Sequence, residues 1–166
     1  MTALTSRGEE LGLPEVLDIP DEQKQDPMFF NTNGKLIGRD GCRVPLPWTS
    51  SGSSFGFGPE GSKAHLPQPD WMADFSVEKE EQDPASTLNF YRKALALRRE
   101  LQAAEELEWV SEEDKDVLCF SRPGGWQVVL NLSDKSIPVP EGEVLLSSAS
   151  VKGGQIGTDV CVWIKK

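Results

Sequence analysis

The sequence predicts an α+β chain: a loop-rich first half, one amphipathic helix near residues 84–101, and a small antiparallel sheet or sandwich over 106–166. Three observations carry this. Residues 1–82 show little regular periodicity. Phe90, Ala94, Leu97 and Leu101 recur at the spacing of one helix face, with Leu88, Tyr91 and Leu95 widening the stripe. Beyond Leu107 the chain turns to short β-branched or aromatic runs separated by Gly, Pro and Asp turn signals.

Taken in order, residues 11–16 are interrupted by Pro14, so any helix there is short, and the polar stretch 21–25 has room for a single turn. Residues 50–61, rich in Ser and Gly, read as a flexible loop. Asp83 and Pro84 supply an N-cap and a first helical residue, so the helix is predicted to open there. Arg92, Lys93, Arg98 and Arg99 lean toward its C-terminal half, where the helix dipole favours cations. Strands are predicted over 117–120, 126–132, 143–147 and 159–164, with 107–110 as a possible first strand. Val128, Leu130 and Leu132 alternate with Val129 and Asn131, which predicts one apolar face. Trp126 and Trp163 read as core or edge aromatics before they read as sugar platforms.

A length of 166 residues suits one ordinary domain or two small ones. Hydrophobic residues make up 37%, and 15 glycines and 12 prolines point to a loop-rich chain. A net charge of −10 argues against nucleic acid or an anionic membrane as partner, since both select a basic face. No apolar run approaches the ~20 residues that span a bilayer. Cys42, Cys119 and Cys161 are odd in number and widely spaced, which fits reduced thiols in a cytoplasm. With His65 the sole histidine and no paired cysteine spacing, neither a zinc site nor a Cys–His catalytic pair is expected. Phosphate-loop, dinucleotide and nucleophilic-serine motifs are absent, and no cofactor is expected.

The most informative segment is Gly-Arg-Asp-Gly-Cys-Arg-Val-Pro-Leu-Pro-Trp at residues 38–48. Pro45 and Pro47 remove amide donors and push their predecessors toward extended conformations, while Gly38 and Gly41 open backbone angles closed to other residues. An irregular loop follows, holding Arg39, Asp40 and Arg43 near one another with at least one Arg–Asp ion pair. Arginine presents a planar fork of donors suited to carboxylate and hydroxyl oxygens. Trp48 adds a flat apolar face.

This segment resembles the Arg-Asp-Gly-Cys-Arg-x-Pro-x-Pro-Trp block of glycoside hydrolase family 13, the α-amylase superfamily, in its α-glucosidase and oligo-1,6-glucosidase branch. Four further segments agree in order. Residues 8–15 (Gly-Glu-Glu-Leu-Gly-Leu-Pro-Glu) resemble the stretch after barrel strand eight, and Asp26-Pro27 the Asp-Pro turn that follows. Residues 88–99 resemble the helix closing the barrel, and 120–133 the paired strands of the C-terminal β domain. The stretch 1–7 departs from the family pattern.

The resemblance implies the end of a (β/α)8 barrel over 1–105 and a C-terminal antiparallel β domain over 106–166. It implies substrate contacts from Arg39, Asp40 and Arg43: Arg39, with Arg43 the other candidate, donating to the sugar where the bond breaks, and Asp40 orienting one of them. Glu9 and Glu10 read as structural. The family's two catalytic aspartates and its acid/base glutamate belong upstream of the matching material, and a whole barrel needs roughly 250 residues. The expectation is therefore the C-terminal part of an α-glucosidase-type enzyme, with no catalytic residue of its own and inactive alone. Its partners would be an α-glucoside or oligosaccharide and the missing barrel half. A truncated or misassigned reading frame and a gene remnant stay open as explanations. So does a non-catalytic carbohydrate-binding or assembly module.

Overall fold

The structure, a computed structural model, describes residues 8–101, 104–111 and 115–166. Met1 to Arg7, where the family pattern fails, lie outside the described residues. The chain divides between Tyr91 and Arg92 into two compact units.

In the first unit few backbone groups are paired within regular elements, so side chains satisfy them instead. Short 3₁₀ turns at Glu9–Leu11, Asp21–Gln23, Asp40–Arg43, Ser53–Gly56 and Asp70–Phe75 alternate with two short helices, α1 (Pro27–Asn31) and α2 (Val77–Gln82). Glu10 accepts from the Gly8 amide at 2.9 Å, and Glu78 accepts from both the amide and the hydroxyl of Ser50. Glu80, though buried, is spent on the Leu88 amide at 2.8 Å. Carboxylates used in this way replace the ladders that a sheet or a long helix would supply. Val16, Ile19, Val44, Leu66 and Met72 form a core, with Leu13, Phe55 and Trp71 packed against it. Phe30, Trp48 and Phe57 remain about half exposed.

Residues 50–61 are fastened more firmly than their Ser/Gly composition suggests. The amides of Trp48 and Thr49 both donate to the Phe55 carbonyl, at 2.8 and 2.9 Å, and Ser54 Oγ bonds Gln68. Ser54 and Phe55 take positive φ to close this turn.

The two Asp-Pro pairs exchange their predicted roles. Asp26 is the N-cap of α1, accepting from the Met28 amide at 2.8 Å with Pro27 at the first position. Asp83 instead closes a turn over Ala85, and the long helix α3 (Thr87–Leu101) opens three residues later, with Ser86 Oγ accepting from Asn89. Asn89 explains the shift: its side-chain amide donates to the carbonyls of Glu80 and Asp83 and fixes the link from α2. α3 crosses the boundary between the units. Leu95, predicted to widen its buried stripe, is half exposed.

The second unit is a five-stranded antiparallel sheet in the order β1-β2-β3-β7-β5, with a two-stranded pair β4-β6. The strands are β1 (Glu108–Ser111), β2 (Val117–Arg122), β3 (Trp126–Asn131), β4 (Ile137–Pro138), β5 (Glu143–Ser147), β6 (Gln155–Ile156) and β7 (Val160–Lys165). Alternation sends successive side chains to opposite faces. Trp126, Val128 and Trp163 face Leu97 and Leu101 of α3. Val129, Val160, Val162 and Ile164 face Ile156 and Ile137 of the small pair. Strand β3 is thus buried on both faces. The single apolar face predicted for it is corrected, because the β4–β6 segment covers the second one.

Two polar side chains lock this unit. Trp126, 6% exposed, donates its indole N–H to the Leu101 carbonyl at 3.1 Å, satisfying an acceptor at the end of α3. Its ring lies 5.2 Å from that of Trp163, so these two tryptophans pack inward. Asn131, fully buried, donates to the carbonyls of Lys135, Ile156 and Gly157 and accepts from Ser133. No helix among the described residues is long and apolar enough to cross a membrane.

Candidate functional site

Arg39, Asp40 and Arg43 lie in one tight turn, as the glycines and prolines predict. Arg39 precedes the 3₁₀ turn Asp40–Arg43, and Val44 leaves it in an extended conformation. Both glycines are required by close approach. A Cβ on Gly38, at φ +82°, would stand 2.7 Å from Cβ and Cγ of Asp26. One on Gly41 would stand 2.3 Å from the Val16 carbonyl oxygen, a backbone atom that cannot turn away.

The ion pair in this turn reaches outside the motif. Asp26, 6% exposed, accepts from the Arg39 amide at 2.9 Å and from Arg43 Nη1 at 2.8 Å, both on Oδ2, while its Oδ1 takes the Met28 amide. The amides of Met28 and then Arg39, with the Arg43 charge adding to them, hold the Asp26 carboxyl below its ordinary value; desolvation opposes them. Asp40 was expected to orient an arginine. It is 3% exposed, and its Oδ2 instead accepts the amides of Gln25 at 2.7 Å and Asp26 at 2.9 Å. The physical reason is backbone supply. The strand-free stretch before α1 leaves two amides in need of an acceptor, and Asp40 is the buried carboxylate beside them.

The result is a relay. Asp40 fixes the backbone of Asp26, Asp26 fixes Arg43 and the amide of Arg39, and the Arg39 side chain projects from the end of it. Arg39 is exposed, and no hydrogen bond of its guanidinium is found among the described residues. With Asp26, Arg43, Met28, Lys35, Leu36, Ile37 and Gly38 it lines an open depression of about 620 Å³. Its lining combines the cations Lys35, Arg39 and Arg43 with the apolar Met28, Leu36 and Ile37. Among the described residues no group of three or more His, Cys, Asp or Glu converges as a metal site requires. Sequence reasoning missed Asp26 as a member of the site. The available signal was its pairing with Pro27, which marks an N-cap carboxylate held at a fixed position.

Residues 2–106 match the family described as alpha amylase, catalytic domain. The chain belongs to the alpha-amylase family. This alpha-amylase family chain is 34% identical over 145 residues to a probable alpha-glucosidase of Rhizobium meliloti (strain 1021), a match covering 81% of the chain and 24% of that relative. It superposes on the alpha-glucosyl transfer enzyme XgtA with a TM-score of 0.73 at 29% identity, over 95% of this chain and 31% of that one. On the trehalose-6-phosphate hydrolase of Bacillus licheniformis the TM-score is 0.71 at 19% identity, over 96% and 35%, a likeness of fold alone. The chain spans about a quarter of the length of this curated relative and about a third of these solved ones. The fold is accordingly the end of a (β/α)8 barrel followed by a small antiparallel β domain.

Proposed function

We propose that this chain forms the sugar-contacting end of an α-glucosidase-type hydrolase, with residues 1–105 ending the barrel and 106–166 forming the β domain. By itself the 166-residue chain does not hydrolyse glucosides. The observation that carries the reading is the division of labour between the two arginines: Arg43 is committed to Asp26, whereas the exposed Arg39 keeps its donor fork open among the described residues. Guanidinium donors match sugar hydroxyl oxygens, and the planar fork presents several of them from a backbone that Asp26 fixes. Asp40 and Arg43 then act as positioning residues for Arg39.

Retaining hydrolysis of an α-glucoside needs one carboxylate to form the glycosyl-enzyme bond and a second to protonate the leaving oxygen. The resemblance assigns both to material preceding these segments. Arginine donors stabilise a bound sugar and cannot replace that covalent step. The three free thiols, Cys42, Cys119 and Cys161, support a reducing, cytoplasmic setting.

The reading is tested by grafting residues 8–166 in place of the corresponding end of the Rhizobium alpha-glucosidase. A folded graft is expected to hydrolyse nitrophenyl α-glucoside, and Arg39→Ala to lower kcat/KM roughly 10- to 100-fold, the loss of one charged hydrogen bond. A folded graft that hydrolyses nothing, or one in which Arg39→Ala is silent, overturns it.

A further inference from the structure

The depression lined by Arg39 holds three cations, Lys35, Arg39 and Arg43, and one carboxylate, Asp26, in a chain whose net charge is −10. Asp26 is fully used: its two oxygens already serve Arg43 and the amides of Met28 and Arg39. Neither the Lys35 ammonium nor the Arg39 guanidinium has an ion pair or a hydrogen bond among the described residues. Two unmatched cations therefore border one depression, and neutral sugar hydroxyls on Arg39 leave Lys35 without a role.

The backbone that carries Lys35 is fastened. The Gly34 amide donates to the Phe29 carbonyl at 2.9 Å, the Lys35 amide to the Thr32 carbonyl at 3.2 Å, and the Leu36 amide to Thr32 Oγ1 at 3.1 Å. Thr32 Oγ1 in turn donates to the Met28 carbonyl at 2.7 Å, which folds this segment back on α1. Its far end is fixed where Gly38 meets Asp26 and the Arg39 amide bonds that carboxylate. Lys35 and Arg39 thus stand at the two ends of one short, anchored segment. Met28, Leu36 and Ile37 complete the lining, and apolar walls around charges of one sign focus their field on a ligand.

We infer that this site takes a phosphorylated glucoside, with Lys35 on the phosphate and the Arg39 fork shared between phosphate and sugar oxygens. The inference rests on the reading of Arg39 as a sugar contact and names the class of sugar. A phosphate monoester carries nearly two negative charges at neutral pH and three strong acceptor oxygens. A guanidinium answers it with a planar fork and an ammonium with a compact point charge. A sugar carboxylate, with one charge, leaves one of the two cations unmatched.

The test is calorimetric titration of the full chain with glucose, glucose 1-phosphate, glucose 6-phosphate and inorganic phosphate. At least one ester is expected to bind roughly tenfold tighter than glucose and than inorganic phosphate. Lys35→Gln, a change at an exposed side chain with no partner among the described residues, should narrow the ratio of ester to glucose affinity several-fold. Equal affinity for glucose and both esters, inorganic phosphate as tight as either ester, or an unchanged ratio in Lys35→Gln overturns this inference and leaves the contact of Arg39 with neutral sugar standing. Absence of all binding, or unaltered glucose affinity in Arg39→Ala, overturns the reading beneath it as well.

Discussion

Arg43 donates to Asp26 Oδ2 at 2.8 Å across 17 residues of sequence, and the same oxygen accepts the Arg39 amide. One buried carboxylate therefore sets the backbone of one arginine and the side chain of the other. The geometry explains why the turn holds its shape without a helix or strand beneath it, and why the motif contains two arginines with different roles.

Asp26 makes the first unit sensitive to acid. Its folded pKa is depressed from 3.8, so the stabilisation is present at neutral pH and is lost as pH falls through the folded value. Urea unfolding should show Asp26→Asn less stable than the parent near pH 7, with the gap closing as pH falls below 3.8. A gap that is constant with pH would contradict the assignment.

Asp40→Ala removes the acceptor of two amides, one of them the buried amide of Asp26. Leaving that group unpaired should cost roughly 1–3 kcal/mol. Arg39→Ala, which breaks no hydrogen bond found among the described residues, should stay within about 0.5 kcal/mol of the parent. Equal losses in the two variants, read from denaturant midpoints, would show that Arg39 is structural.

Gly41→Ala should destabilise the turn by about 1–3 kcal/mol, because its Cβ meets a backbone oxygen. Gly153→Ala, where a Cβ meets nothing within 4 Å, isolates the cost of φ +58° alone, about 1–2 kcal/mol. Thermal unfolding of both variants separates crowding from backbone strain.

Trp126→Phe keeps an aromatic ring in the core and deletes the donor to the Leu101 carbonyl. About 1 kcal/mol should be lost, and hydrogen exchange should rise in the last turn of α3. The parent should protect β3 and β7 most strongly, since they are central in the sheet, and residues 8–91 less, since their amides are held by scattered side chains. Uniform protection would contradict this.

Much of the second unit was legible, because alternation and turn residues are local signals. Strand β3 shows the limit: alternation marked one apolar face, and only the β4–β6 pair, too short to announce itself, buries the other face, which carries Val129 and Asn131. In the first unit the turn at 38–48 was readable from its glycines and prolines, while its anchor was not. Asp26 lies outside the motif, and Asp26-Pro27 and Asp83-Pro84 carry the same local signal with opposite outcomes. Asn89, a tertiary partner, decides between them. Helix α2 was missed for the same reason: its six residues are mostly charged, and Ser76, accepting the Lys79 amide, was its one sign.

The central proposal is that Arg39 contacts sugar and that this chain by itself does not break a glycosidic bond. Release of nitrophenol from nitrophenyl α-glucoside by the purified chain tests it most directly. The account predicts a rate no greater than that of a mock preparation. Turnover that is absent from the mock preparation and abolished by Arg39→Ala would contradict it.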